Sequence, residues 1–339
     1  MTVKHQSFFA VPALVLLLLY FFFAPHDANI PESSTGAQSP EISIGREPLL
    51  PLSPAPALPP EKVALGEKLF RDPRLSHDNS ISCASCHDLG KGGTDRARFS
   101  VGIRGAAGDV NAPTVFNVGS NIAQFWDGRA RTLEEQAAGP VHNPVEMGSN
   151  WDEVTGKLRA DQEYLAMFRS AYPDGMTPAN IAGAIATYER SLVTPNSRFD
   201  RYLRGEKNML SRDELEGYRR FVNLGCASCH QGAGIGGNMF QRFGVMGDFF
   251  KDRPPSRADQ GRFNVTGLEE DRHVFKVPSL RNVDATSPYF HDGSARTLSD
   301  AVRIMGKYQL GKELSGEEVR LVVAFLHTLN GEWQGQVLK

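Results

Sequence analysis

Cys83-Ala84-Ser85-Cys86-His87 and Cys226-Ala227-Ser228-Cys229-His230 are one five-residue string written twice, 143 positions apart. In C-x-x-C-H two thiols stand where they can add to the two vinyl groups of a haem, and the adjacent histidine reaches the iron as proximal ligand. Other uses of the cysteines explain less. A redox dithiol needs a single C-x-x-C in a βαβ setting, which is missing here. A zinc site joining both pairs gives no reason for a histidine directly after each. A disulfide between cysteines three apart is strained, and four cysteines in 339 residues are too few for a stapled scaffold. Two covalent c-type haems are expected, one held by Cys83, Cys86 and His87, the other by Cys226, Cys229 and His230.

The duplication extends beyond the cysteines. Pro113–Val118 (PTVFNV) recurs loosely as Pro278–Val283 (PSLRNV), and Phe125–Leu133 (FWDGRARTL) recurs as Phe290–Leu298 (FHDGSARTL) with seven of nine positions identical. Apolar residues at helical spacing predict helices at 61–70 and 213–222, ahead of each cysteine motif, and at 181–193 and 317–329, closing each half. Ser315 and Glu318 fit a capping box for the last. A mostly α-helical chain of two duplicated domains follows, with the boundary near Pro195–Glu206.

Charge and composition narrow the class. With 37 basic and 39 acidic residues the net charge is −2, which excludes nucleic acid as a partner. Phe8–Ala24 is an uncharged run of seventeen residues behind Lys4, read as an export signal or, by preference, a retained inner-membrane anchor over 1–24. Residues 25–60 hold nine of the 21 prolines and read as a tether without a core. Either fate of the first segment leaves the folded part outside the cytoplasmic membrane, where haem is attached covalently.

Over about residues 58–335 the chain resembles the bacterial dihaem cytochrome c peroxidases, a family that includes the MauG-type tryptophan-modifying enzymes. The resemblance rests on LGEKLFRDPRLS, SCASCHDLGKGGTD, NAPTVFN, AQFWDGRARTLEEQAAGPVHNPVEM, GRFNVTGL, VPSLRNV, PYFHDG and IMGKYQLGKEL. It implies two cytochrome c-like domains, a peroxidatic one at 61–198 and an electron-transfer one at 199–339. Carried onto this chain, it makes Glu146 and Gln136 the distal residues of the peroxidatic haem, and Met305 the second ligand beside His230. A carboxylate at Glu146 moves a proton between the two oxygens of peroxide; Gln136 orients peroxide or water. Tyr308 lies three residues past Met305, and MauG-type enzymes use tyrosine at the ligand position. Trp126 matches the tryptophan between the haems. Asn111, with the backbone oxygens of Thr286 and Pro288, matches an interdomain calcium site.

The function implied is reduction of hydrogen peroxide to water with electrons from a small cytochrome c or copper protein, in the periplasm, by a monomer or homodimer. The alternatives are a MauG-type oxidase of a partner protein and a non-catalytic dihaem electron carrier. One position departs from the family. Many members place a histidine after the S-V-G that follows the first haem motif, and it blocks the peroxidatic iron until the other haem is reduced. Here Ser100-Val101-Gly102 is followed by Ile103, which cannot ligate iron.

Overall fold

Each half is built on one pair of helices pressed together at a glycine. In the computed structural model, which describes residues 47–254 and 256–339, helix α1 (Pro60–Phe70) starts on a proline, whose missing N–H has no helical partner to lose. The short α2 (Cys83–Cys86) carries the first cysteine motif. Then come α3 (Leu133–His142), α4 (Trp151–Arg159), α5 (Gln162–Ala171) and α6 (Pro178–Ser191), each capped by a Thr, Asn or Asp side chain. A β-carbon added at Gly66 of α1 would lie 2.0 Å from the Ala184 carbonyl of α6, so only glycine allows this crossing.

The second half repeats the arrangement. It holds α7 (Arg198–Leu203), α8 (Arg212–Leu224), the strand β1 (Phe240–Arg242), α9 (Phe263–Thr266), β2 (Val274–Lys276), α10 (Leu298–Ile304) and α11 (Gly316–Leu326). Gly217 of α8 meets α11 as Gly66 meets α6: its β-carbon would lie 2.0 Å from the Leu321 carbonyl. Ser315 and Glu318 form the expected capping box of α11. A π-helical turn, Met305–Gln309, continues α10, and β1 pairs antiparallel with β2. One apolar cluster is drawn from residues 65–185; another joins Leu49 to residues 199–329.

The halves meet in matching contacts. Asn111 N–H donates to the His291 carbonyl (2.7 Å), and Lys276 N–H, the same position in the repeat, donates to the Trp126 carbonyl (2.9 Å). Asn117 and Asn282, both left-handed at φ 63° and 59°, each donate a side-chain amide to the hydroxyl of Thr194, at 2.9 Å in both cases.

The ends of the described chain cross over. The proline-rich stretch does not lack a core throughout: Leu49 joins the apolar cluster of the second half, and Leu52 is buried as well. Leu50 N–H bonds the Gly232 carbonyl, Leu52 N–H bonds the Asp200 carboxylate, and Arg281 bonds the Leu50 carbonyl. Leu49 among the prolines provides an apolar anchor that composition alone obscures. At the other end the hairpin β3 (Glu332–Trp333) and β4 (Gln336–Val337) returns to the first half. There Trp333 packs edge-on to Phe116 at 5.6 Å, and Leu338 joins Phe70 and Tyr188. The domain limits read from sequence, 61–198 and 199–339, therefore miss both straps. The segment read as signal or anchor, and the tether as far as residue 46, lie outside the described residues. Among those described, no helix is long and apolar enough to cross a membrane.

Replacing Thr194 with valine removes one acceptor shared by two buried amides. Each amide left unpaired costs about 1–3 kcal/mol, so T194V is expected to lower the thermal midpoint clearly, as read by calorimetry, while both haems stay attached.

Candidate functional site

Each C-A-S-C-H histidine is held the same way. His87 Nδ1 donates to the Gly93 carbonyl at 3.2 Å and His230 Nδ1 to the Ile235 carbonyl at 3.4 Å. That bond fixes the tautomer and leaves Nε2 free as a ligand. Burial pushes both imidazoles down in pKa, His230 to about 4, so they stay neutral. Burial also pushes the Cys83 thiol up to about 12 and the Cys226 thiol up to about 11. Among the described residues no cluster of three or more His, Cys, Asp or Glu could hold a metal ion, so the two cysteine pairs do not join in a zinc site.

The second motif opens onto a mainly apolar cavity of about 260 Å³, lined by Cys226, Cys229, His230 and Met305 and reaching Trp126. Met305 begins the π-helical turn, a distortion often found at functional sites. Tyr308 is not among the residues lining this cavity; its ring packs edge-on to Phe249 at 5.3 Å. An apolar slot with two thiols at its wall, a neutral histidine and a thioether fits a covalently attached haem.

The first motif faces different chemistry. In the repeat, α3 corresponds to α10, with Thr132 and Thr297 as their caps; in that register Pro140 stands where Met305 stands, and proline offers no ligand atom. The chain then turns back, and this turn carries Glu146, half-buried, with Oε1 accepting from Asn143 Nδ2 at 2.7 Å. Burial raises the pKa of Glu146, opposed by the Asn143 bond and the Arg129 charge. Asn143 was not evident from sequence, although N-P-x-E is a local signal for such a turn. Gln136 is half-buried on α3 and makes no side-chain hydrogen bond among the described residues. His142 is exposed, its ring edge-on to Trp151 at 5.6 Å. Ile103 is buried behind Glu146: its N–H donates to the Glu146 carbonyl at 2.9 Å, and Gly148 leaves room for its side chain.

Trp126 stands at the seam. Its indole N–H donates to the Asn111 carbonyl at 2.9 Å, and its ring meets His291 edge-on at 6.4 Å. His291 is buried and pairs with Asp259 at 2.7 Å. The neighbouring Phe125 packs on α3, where a β-carbon at Gly139 would meet its ring at 2.7 Å. This loop thus touches the helix of one half and the cavity of the other. Asn111 donates its amide to the Ala97 carbonyl. Among the described residues, its Oδ1 and the Thr286 and Pro288 carbonyls accept no hydrogen bond, and all three residues line the same cavity.

Comparison with known proteins accords with this geometry. The family model for di-haem cytochrome c peroxidase matches residues 60–208, and that for cytochrome c matches residues 215–330. The chain is 48% identical to the cytochrome c551 peroxidase of Nitrosomonas europaea, over 83% of this chain and 84% of that protein. The chain belongs to the dihaem cytochrome c peroxidase family. It is also 49% identical to the cytochrome c peroxidase Ccp of Escherichia coli, over 84% of this chain but only 61% of that longer protein. The crystal structure of a MauG-like protein associated with microbial copper homeostasis is similar at 30% identity and a TM-score of 0.74, covering 84% of this chain and 93% of that one. The higher identities favour the peroxidase branch over the MauG branch, and membership of a dihaem family gives the chain two haems c.

Glu189 is a buried group that sequence reading did not single out. It follows Tyr188, which packs in the cluster that includes Cys83, and its Oε2 has no hydrogen-bond partner among the described residues. Its counterpart in the repeat is Leu326. Burial pushes Glu189 up from 4.5 to about 8, opposed by Arg190 and reinforced by Glu134. A raised pKa contributes stability that is full below 4.5 and is lost as pH rises through 8. Glu189→Gln is therefore expected to flatten the fall in thermal midpoint across that range; an unchanged slope would remove Glu189 as its cause.

Proposed function

We propose that the chain reduces hydrogen peroxide to two waters, consuming two electrons and two protons, at the His87 centre, with electrons entering at the His230 centre. The observation that carries this is the asymmetry of the two centres. One has Met305 in the cavity with His230; the other has Pro140 at the matching position and a half-buried glutamate, Glu146, nearby. A thioether would raise the potential and suits an electron-receiving site, whereas a centre where proline replaces the methionine would leave room for a small substrate.

When bound, the haems would supply the redox-active irons; Cys83, Cys86 and His87 would hold one, and Cys226, Cys229, His230 and Met305 the other. The chain's own residues handle protons and position. Glu146 accepts a proton from one oxygen of peroxide and returns it to the other as the O–O bond breaks, so that the departing oxygen leaves as water. Asn143 holds that carboxylate in place, and Gln136 orients peroxide by hydrogen bonding. Trp126 stands between the centres as part of the route for electrons. Asn111 Oδ1 and the Thr286 and Pro288 carbonyls offer hard oxygen donors that suit a calcium ion completed by water. The donor is a small cytochrome c or copper protein. Covalent haem attachment together with the apolar segment at 8–24 supports a periplasmic location, with that segment as signal or anchor.

Two outcomes follow. Glu146→Gln should leave both haems attached and slow peroxide-dependent oxidation of reduced cytochrome c by about 10²–10⁴-fold; unchanged turnover would remove Glu146 from the mechanism. Because Ile103 is locked against the Glu146 turn and carries no ligand atom, the fully oxidised protein should turn over without prior reduction. EPR of that state should lack a bis-histidine low-spin signal from the N-terminal haem, and finding one would overturn the reading.

A further inference from the structure

Lys276 is a buried lysine whose side chain neither the fold nor the reaction above uses. Only 8% of it is exposed. Its backbone N–H is taken by the Trp126 carbonyl, but its ammonium has no hydrogen-bond or ion-pair partner among the described residues. Burial pushes its pKa down to about 8. A cation left this way in a low-dielectric site is unfavourable unless an anion joins it.

The cavity around it calls for such an anion. Lys276 lines the space shared by Cys226, Cys229, His230 and Met305, and no Asp or Glu contributes to its walls. The other basic groups there are His230, held by the Ile235 carbonyl; His291, paired with Asp259; and Arg242, exposed at the end of β1, while the Cys226 thiol and the Tyr289 phenol are pushed up in pKa by burial and so stay neutral. The walls are otherwise mainly apolar. A haem presents an apolar ring and two propionate carboxylates, so its apolar part matches the walls and its anionic part needs a cation. In the repeat, the position of Lys276 is held by the neutral Asn111.

We propose that Lys276 is the buried counter-ion of a propionate of the C-terminal haem and that its charge holds that haem's reduction potential above the N-terminal one. This rests on the reading of the His230 cavity as a haem site. A fixed positive charge favours the reduced state, which carries one more electron, and low dielectric strengthens the effect. Lys276 thus acts through the cofactor's charge as a positioning and tuning residue.

The test is a spectroelectrochemical titration of the holoenzyme against K276M, K276Q and K276R. The neutral variants should shift the C-terminal reduction equilibrium about tenfold toward the oxidised form, which for one electron is about 59 mV, with the N-terminal potential unmoved. K276R should restore it. An unmoved C-terminal potential, equal shifts at both haems, or a K276R that falls as far as K276M would overturn the proposal. Loss of the C-terminal haem from the neutral variants supports it if K276R retains that haem and overturns it if K276R loses it too. A wild-type chain without two haems by pyridine haemochrome assay would instead defeat the underlying reading.

Discussion

Two matching hydrogen bonds, Asn111 N–H to the His291 carbonyl and Lys276 N–H to the Trp126 carbonyl, set the frame within which the rest of the site is arranged. Because the two bonds are equivalent to each other in the repeat, together they hold the halves in one relation rather than letting them hinge about a single contact. Thr194, receiving Asn117 and Asn282 on one hydroxyl, adds a third point close to the same seam. The indole of Trp126 is fixed by the Asn111 carbonyl, so the seam that joins the halves also positions the aromatic group between them.

Within this frame, chemistry resides where the repeat is broken. The glycine contacts at Gly66 and Gly217, the left-handed asparagines and the histidine–carbonyl bonds are shared, and they serve structure. Pro140 against Met305, Glu189 against Leu326, Asn111 against Lys276 and Trp126 against His291 are not shared. Each exchange alters charge, ligand capacity or aromatic reach at one centre only. Duplication supplied two equal cradles, and a few substitutions separated an electron entry from a reaction site.

Much of this was legible in the sequence because the deciding signals are local. C-A-S-C-H determines the attachment chemistry in five residues, and the FWDGRARTL repeat displays the duplication directly. Ser315 and Glu318 gave the last helix its start because a capping box spans only four residues. What stayed hidden depends on contacts between distant segments. Leu49 and Leu52 sit among prolines, so composition suggests a tether, yet the apolar partners of Leu49 and the Asp200 partner of the Leu52 N–H lie far along the chain. Lys276 and Glu189 look like ordinary polar residues until the fold buries them. Asn143 gains meaning only when the turn brings its amide onto Glu146.

The crossed ends bear on the order in which the chain can mature. The strap at Glu47–Leu52 emerges from the ribosome before α1, yet Asp200, Gly232 and Arg281, its partners, follow much later. The core behind the first cysteine motif is completed only by Trp333 and Leu338. Each half thus draws part of its packing from a segment at the far end of the chain. Packing of one half is therefore tied to packing of the other, so loss of either strap loosens a core that belongs to the opposite end of the chain.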